Sequence, residues 1–344
     1  MKFGLFDHVD RADRPLAQLF DERLKFVAAA DETGFYGYHV AEHHATPLNM
    51  VPVPGVYLGA LARATKRLRL GPLVYLLPLY SPLRLIEEIA ILDHMSHGRL
   101  DVGVGRGVSA YELNFHKVDP ETSREVFIDA FDAVYAGLTH DRLTYRGKHF
   151  AYDDVPMELR SLQQPHPPFW YPSSNETGST WAGERGLNFS TLGGIERASG
   201  CIKAYKDALA KRGGPLLPNK DFPGGVGMSI NRQAVLADTE ADAMKIARPA
   251  FERFHQSLTK LERDNKGGPR FATHLTGDID AAIKSGQLVV GTPDSVRANL
   301  ERQAKALGVN YMIFSLFFGE MKFEDAMRSL KLFSGEVIPK LASL

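Results

Sequence analysis

The sequence contains almost no cysteine, since Cys201 is the only one among 344 residues. A single thiol excludes an internal disulfide and a thiolate-rich metal site, and it fits a reducing compartment. The N-terminal segment lacks the apolar core of a secretory signal, and no apolar run approaches the length that spans a bilayer. We therefore expect a cytoplasmic protein with no membrane partner.

An excess of charge of either sign is also absent, because 41 basic residues balance 41 acidic ones. A balanced chain has no electrostatic footprint for nucleic acid, so we expect no nucleic-acid partner. With 44% hydrophobic residues, the chain has the apolar content of a soluble globular protein and can bury a large core. No linker or internal repeat divides the sequence, and we predict a single domain over residues 1–344.

Short apolar or β-branched runs alternate along the chain with longer segments of helical period. This alternation is typical of parallel strands joined by helices, and about eight such units predict a closed α/β fold, the (β/α)8 TIM barrel. The predicted strands are Lys2–Asp7, Tyr36–Ala41, Leu68–Tyr75, Leu100–Gly105, Pro168–Ser173, Leu187–Leu192, Val226–Asp238 and Val309–Leu316.

Two stretches exceed the length of a minimal barrel. Thr139–Pro167 contains the alternating run "LTYRGKHFAY" around Gly147 and predicts a hairpin insertion before the fifth strand. The second stretch follows the seventh strand, from about Ser257 to Gly291, and is polar and rich in glycine. Because loops of this length are usually functional lids or disordered segments, we predict a lid-like insertion there.

Two adjacent histidines follow the second predicted strand, in the stretch "VAEHHATP". Successive side chains of a strand point to opposite faces, so His43 and His44 could share a metal ion only if the chain turned sharply between them. Such a pair is more often structural than catalytic when it stands alone. The active site of a TIM barrel lies at the C-terminal ends of its strands, however, so we predict a functional role for the pair and no metal.

The fourth predicted strand ends in "VGVGRG", with Arg106 between Gly105 and Gly107. Bare glycine positions allow a planar ligand to approach the backbone closely, and an arginine beside them supplies a fixed positive charge. Tight barrel packing by glycines next to a solvated arginine explains the same pattern equally well. The residue types alone leave both interpretations open.

The fifth predicted strand gives way to "PSSNETGST" before a helix. Hydroxyls, a glycine and free N–H groups at a helix start form a good anion site, although Ser and Thr are also ordinary helix caps. Ser174, Asn175 and Gly178 would lie on the same face of the barrel as Arg106, which favours the anion site.

Weaker candidates surround these motifs. His8 closes the first strand, Asn231 and Gln233 share one face of the seventh, and Tyr111 follows the arginine loop. These side chains are possible substrate contacts, but polar groups that face a barrel interior can also be satisfied by water. We therefore predict only a substrate-side position for them.

Together these motifs give the chain a resemblance to the bacterial luciferase-like monooxygenase family, whose members are (β/α)8 barrels that use reduced flavin or deazaflavin. The resemblance covers most of the chain and rests on "GFYGYHVAEHH", "LLPLYSPLRLIEEIAILDHMSHGRLDVGVGRG", "WAGERGL", "VGTPDSV" and "SLKLFSGEVIP". It implies that His43 corresponds to the catalytic first histidine of "EHH". We predict His44 as a second catalytic candidate, more as a supporting hydrogen-bond partner than as a second catalyst.

The resemblance also implies a flavin site. Arg106 corresponds to the arginine that contacts the flavin phosphate, and Ser174, Asn175 and Gly178 occupy the phosphate-loop positions. The bond between Leu73 and Val74 aligns with a non-prolyl cis peptide beneath the flavin ring. Where luciferase has a reactive cysteine this chain has Gly105, so the resemblance implies flavin binding without light emission.

The function implied by the resemblance is that of a monooxygenase. It would take reduced FMN from a separate flavin reductase and use O2 to oxygenate a small organic substrate, and the family-typical homodimer is expected. A deazaflavin-dependent dehydrogenase on the same barrel and a non-catalytic flavin-binding protein are the alternatives.

Overall fold

The computed structural model describes residues 1–270 and 275–344. Within these residues the chain forms twelve strands: β1 (Lys2–Asp7), β2 (Gly37–Val40), β3 (Arg69–Pro72), β4 (Tyr75–Leu76), β5 (Val102–Gly105), β6 (Arg142–Arg146), β7 (Ala151–Pro156), β8 (Phe169–Pro172), β9 (Asn188–Thr191), β10 (Met228–Leu236), β11 (Leu288–Gly291) and β12 (Tyr311–Ser315).

Thirteen helices occur in the same described part of the chain. They are α1 (Leu16–Asp31), α2 (Pro54–Ala64), α3 (Pro82–Met95), α4 (Ala110–Phe115), α5 (Ser123–Thr139), α6 (Glu176–Arg185), α7 (Ile195–Arg212), α8 (Glu240–Leu258), α9 (Lys260–Asp264), α10 (Ile279–Lys284), α11 (Pro293–Leu307), α12 (Phe323–Leu332) and α13 (Ile338–Leu341). Leu77–Leu79 and Pro223–Gly225 are single 3-10 turns, and Phe333–Val337 is a π-helical turn between the last two helices.

The strands of the main sheet run parallel in the order β3-β2-β1-β12-β10-β9-β8-β5-β4. The first and last strands of the chain are neighbours, since Lys2 pairs with Tyr311. A bridge between Leu70 and Leu100, together with pairing of β4 with β5, joins the two ends of this order. The predicted TIM barrel is thereby confirmed.

Two details of the strand prediction were wrong. The third predicted strand is not continuous, because a cis peptide bond between Leu73 and Val74 separates β3 from β4. A further strand, β11, pairs in parallel with β10 through Gln233 and Leu288. Its four residues lie inside the segment predicted as an insertion, where the sequence shows no long apolar run to indicate a strand.

The interior of the barrel below the strand ends is filled by large side chains. Trp170 and Tyr311 are almost fully buried there and contact each other with ring centroids 5.7 Å apart. Full burial of such side chains stabilises the fold by about 1.5–3 kcal/mol each. A packed interior leaves the C-terminal ends of the strands as the place where a ligand can enter.

The two predicted insertions have different structures. In the first, β6 and β7 form an antiparallel hairpin whose register shifts between Leu143 and Tyr145. The second contains α9, α10 and β11, and its residues 271–274 lie outside the described residues. Among the helices of the described ranges, none combines the length and apolarity that a membrane crossing requires.

Candidate active site

A cavity of about 450 Å3 opens at the C-terminal ends of the barrel strands. This volume lies within the usual range for small-molecule and cofactor sites. Most of the predicted site residues line it, and they come from several strands and the segments that follow them. They are His8, His43, Leu73, Val74, Arg106, Ser174, Asn175, Gly178, Asn231 and Gln233.

His43 is held in the cavity by a carboxylate that the sequence analysis did not assign. Its Nδ1 lies 3.1 Å from Oε1 of Glu112, and the other carboxylate oxygen accepts the backbone N–H of His44 at 2.8 Å. Glu112 lies in the first turn of α4, and its side chain is only 3% exposed. A buried pair of this kind fixes the orientation of the imidazole ring.

The pair also changes the protonation of both groups. Burial by itself lowers the pKa of His43, but the Glu112 carboxylate outweighs it and holds this pKa above the ordinary value of 6.5. Burial by itself raises the pKa of Glu112, but the charge and hydrogen bond of His43 bring it below 4.5. An ionised carboxylate only accepts hydrogen bonds, so Nδ1 carries the proton and Nε2 is left to face a ligand.

His8 lies against His43, with ring centroids 5.8 Å apart and planes inclined by 21°. Burial, followed by the charges of His43 and Arg23, lowers the pKa of His8 well below its ordinary value. The two rings therefore differ in protonation: His43 tends to hold a proton, and His8 is a neutral imidazole. Neighbouring titratable groups whose pKa values are pushed apart are typical of acid/base sites.

His44, the second predicted histidine, is not among the described residues that line the cavity. Its Nε2 lies 2.8 Å from Oε1 of Glu42, whose other oxygen accepts the Leu76 N–H and the Tyr80 hydroxyl. These contacts favour the supporting role for His44, and its catalytic role stays a prediction. Glu42 therefore connects His44, just after β2, to the end of β4 and to Tyr80 beyond it.

The segment between β8 and α6 is the one predicted to form an anion cradle. The Asn175 side chain caps α6 by accepting the Gly178 N–H at 2.9 Å, and the Ser173 hydroxyl donates to the Asn175 carbonyl at 2.8 Å. A Cβ atom at Gly178 would lie 2.4 Å from the Ser173 hydroxyl oxygen, so the turn requires glycine there. Among the described residues, no hydrogen-bond partner is found for the backbone N–H groups of Glu176 and Thr177 at the start of the helix, which suits them to an anion.

Two arginines line the same cavity as this cradle. Arg106, at the end of β5, and Arg124, in the first turn of α5, both line the cavity. Arg124 was missed by the sequence analysis, because one arginine at a helix start carries no signal without the fold. The positive charge near the cradle is therefore double what the sequence indicated.

Gly105, at the end of β5, packs against Val74 at the predicted site of the flavin ring. A Cβ atom at Gly105 would lie 2.6 Å from Cγ2 of Val74, so a cysteine could occupy this position only if Val74 moved. Glycine at this position therefore allows close packing against the segment that contains the cis peptide bond.

Tyr111 was predicted at the substrate, but it lies outside the described cavity lining, and its hydroxyl donates to the Asn265 carbonyl at 3.4 Å. It contacts the insertion instead.

Replacing Glu112 with glutamine is expected to lower the pKa of His43, because the negative charge that retains its proton is lost. The raised pKa of His43 stabilises the fold below about pH 6.5, and the lowered pKa of Glu112 stabilises it above about pH 4.5. The Glu112→Gln variant should therefore lose most stability between these values and least at alkaline pH. Chemical denaturation at several pH values and NMR titration of the histidine rings measure both effects.

The matched control for that experiment is Glu121→Gln, which removes an exposed carboxylate from the loop between α4 and α5. It should leave the His43 titration unchanged. An unaltered His43 titration in Glu112→Gln would contradict the assigned pairing.

Comparison with known proteins identifies the family of the chain. The model of the luciferase-like monooxygenase family matches residues 1–311. An uncharacterized protein of Sinorhizobium fredii is 33% identical over 341 residues, which is 99% of this chain and 97% of that protein. The oxygenase component of a flavin-dependent trigonelline monooxygenase from Acinetobacter baylyi is 27% identical over 361 residues, covering 98% and 95% of the two chains.

Among solved structures, the monooxygenase RslO1 from Streptomyces bottropensis superposes with a TM-score of 0.87. It is 26% identical, and the alignment covers 99% of each chain. The family match spans all the barrel strands up to the start of β12 and includes every residue of the cradle and the histidine pair. The chain therefore belongs to the luciferase-like monooxygenase family.

Proposed function

We propose that the chain is the oxygenase component of a two-component flavin monooxygenase. It would bind reduced FMN supplied by a separate reductase and use O2 to transfer one oxygen atom to a small organic substrate. The observation that carries this proposal is one cavity in which a phosphate cradle and a carboxylate-held histidine face the same space.

The residues present fit FMN. A phosphate group suits the free N–H groups at the start of α6 together with Arg106 and Arg124, since helix dipole and guanidinium charge both favour an anion. Leu73 and Val74 form an apolar surface in the cavity against which a flavin ring could lie. When bound, a reduced flavin supplies the electrons that activate O2, and the protein supplies position, electrostatics and exclusion of water.

In this proposal His43 is the group that holds or moves a proton. Its Nε2 faces the cavity because Nδ1 is bonded to Glu112. With a pKa above 6.5, it can donate a proton to a developing oxyanion near neutral pH. The neutral ring of His8 beside it is a hydrogen-bond partner that adds no second charge.

The insertion after β10 would exclude water from the site. Its residues Leu275, Thr276 and Gln287 line the cavity, and Leu258 closes the same side from the end of α8. Excluding bulk water protects a reactive intermediate from side reactions. We propose that this segment is the lid of the site.

Two partners belong to the proposal. The similarity to a protein named as an oxygenase component supports a separate flavin reductase as the source of reduced FMN. A homodimer is proposed from an apolar face on the outside of the barrel, where Val53 at the start of α2, Val56 within α2 and Ile91 on α3 are each about half exposed or more. Clusters of exposed apolar side chains of this kind commonly form subunit interfaces.

Anaerobic titration of the chain with reduced FMN, followed by exposure to O2, tests the function. We expect saturable binding of reduced FMN and an oxidation rate that differs from that of free FMN, with label from 18O2 appearing in the product once a substrate is present. The control titration uses a reduced deazaflavin cofactor.

Each alternative has its own result in this experiment. Binding of deazaflavin without affinity for FMN would identify a deazaflavin-dependent dehydrogenase. FMN that binds tightly but transfers no label to any substrate would identify a non-catalytic flavin-binding protein. Either result would overturn the proposed monooxygenase.

A further inference from the structure

One wall of the cavity is used by neither the cradle nor His43. In the sheet order, β12 is four strands from β5, which is halfway around an eight-stranded barrel, and β10 lies beside β12. The cradle lies at β5 and β8, and the cis peptide and His43 lie on the side of β2 and β3. The ends of β10 and β12 therefore remain as the wall for a second ligand.

This wall, which we call the amide wall, consists of Asn231, Gln233 and Ser315. Gln233 and Ser315 are lateral neighbours in the parallel pairing of β10 with β12, so they face the same side of the sheet. Asn231 precedes Gln233 by two positions and shares that face. All three residues line the cavity.

The polar groups of the amide wall have no partners within the described protein. Nε2 of Gln233 is buried and makes no hydrogen bond. Neither the Asn231 amide nor the Ser315 hydroxyl is bonded to another described residue. An unpaired buried donor costs about 1–3 kcal/mol, so a ligand that offers an acceptor here would recover that cost.

No carboxylate belongs to the amide wall, and Arg232, which also lines the cavity beside it and whose Nη2 has no partner among the described residues, is only 1% exposed. The only carboxylates among the described residues of the cavity are Glu42 and Glu112, and both are bonded to histidines. Arg232 lies between Asn231 and Gln233 in sequence but points to the helix layer, where its guanidinium donates to Gln303 and to the carbonyls of Gly193 and Asn231.

Arg232 nevertheless affects the amide wall electrostatically, from the side of β10 that faces the helix layer. Burial lowers its pKa to about 9, so the group is still protonated at neutral pH, and it has no carboxylate partner among the described residues. Its positive field favours an oxygen acceptor over a donor or a cation on the cavity side of β10. A full negative charge would still lack a charged contact, and burying it there is costly.

The remaining surface near the amide wall is apolar. Phe251, Phe254 and Leu258 of α8 line the cavity, as does Leu275 of the insertion. The titratable rings on this side are His8 and His255, and burial is the first cause that lowers the pKa of each below its ordinary value. Both are therefore neutral, and the pocket combines an apolar body with neutral donors on one wall.

We propose that the amide wall binds the substrate, and that this substrate is an uncharged molecule with an apolar body and a carbonyl oxygen that accepts hydrogen bonds from Gln233 and Asn231. This inference rests on the proposed function, in which the cradle holds the cofactor. It names the substrate class: ketones, lactones or amides rather than carboxylates, amines or plain hydrocarbons.

Three probes of nearly equal shape test the proposal on the FMN-loaded protein by ligand-observed NMR. They are cyclohexyl methyl ketone, cyclohexanecarboxylate and isopropylcyclohexane. We expect the ketone to bind about tenfold more tightly than the hydrocarbon, which leaves the buried donors unpaired, and than the carboxylate, whose charge would be buried without direct contact to a cation. Gln233→Leu should reduce affinity for the ketone about fivefold to tenfold and leave affinity for the hydrocarbon unchanged.

The matched control is Gln287→Leu, because Gln287 also lines the cavity but its Nε2 already donates to the Ser285 hydroxyl at 3.1 Å. It should leave ketone affinity within about twofold of the original. Stronger binding of the carboxylate, or no ketone binding up to the solubility limit, would overturn the proposal.

Measuring FMN affinity distinguishes a failure of this substrate assignment from a failure of the proposed monooxygenase function. If Gln233→Leu weakens FMN and ketone equally, the amide wall belongs to the cofactor, and the substrate assignment is wrong. If the original chain binds no FMN, the proposed function fails, whereas the ketone preference can still be measured on the cofactor-free protein.

Discussion

Replacement of His43 with alanine is expected to reduce turnover by about a hundredfold or more, because a positioned proton donor contributes about 10²–10⁴-fold to the rate. FMN affinity should change little, since the cradle residues lie at the ends of β5 and β8 and not at β2. Steady-state oxygenation of a substrate from the ketone class and a separate FMN titration measure the two effects.

The adjacent histidine provides the matched control for this variant. His44→Ala removes a partner from the buried carboxylate of Glu42, and it should lower the midpoint of thermal unfolding with only a modest effect on turnover. Normal turnover in His43→Ala, or an equal loss of turnover in both variants, would remove the catalytic assignment of His43. The comparison also excludes a general disturbance of the loop as the cause.

The sequence alone could predict which ends of which strands form the site. In a parallel barrel all strands point the same way, so His43, Arg106 and Ser174 reach one face even though they are far apart in the chain. The prediction needed only the alternation of apolar runs and helical segments. The cis bond between Leu73 and Val74, by contrast, was predicted only through the family resemblance.

The sequence could not predict which side chains in the loops turn toward the cavity. His43 and His44 are adjacent, yet only the first lines the cavity, because the backbone after β2 is irregular and its direction depends on the bond to Glu112. Tyr111 and Glu112 are likewise adjacent, and the capping turn before α4 points the glutamate inward and leaves the tyrosine on the insertion.

The sequence did not predict Arg124 or strand β11, because both features depend on tertiary contacts. Arg124 lines the cavity only because α5 begins beside the strand ends, and a single arginine carries no pattern. Strand β11 is four residues long, and its pairing with β10 depends on the unusual length of that neighbour, which extends to Leu236. Contacts between distant segments decide both features, so local periodicity does not reveal them.

Replacement of Arg106 with alanine is expected to weaken FMN binding about tenfold to a hundredfold, because a hydrogen bond to a charged group contributes about 1.5–3 kcal/mol. Arg106 is exposed at the mouth of the cavity, so solvent screening places the expected loss toward the lower limit. Arg124→Ala should give a similar loss. The two losses should not add fully, since both guanidinium groups would contact one phosphate.

Riboflavin is the matched ligand for this experiment, because it carries the same ring system as FMN without the phosphate. If Arg106 binds the phosphate, its removal should reduce the preference for FMN over riboflavin and leave riboflavin affinity unchanged. An equal loss for both ligands would place Arg106 at the ring instead, and the cradle at α6 would then need another cation. Because Arg124 also lines the cavity, the double variant measures how much of the phosphate affinity depends on these two guanidinium groups. The remainder would come from the helix N–H groups and from Arg197, whose guanidinium donates to the Ser174 carbonyl at 3.0 Å.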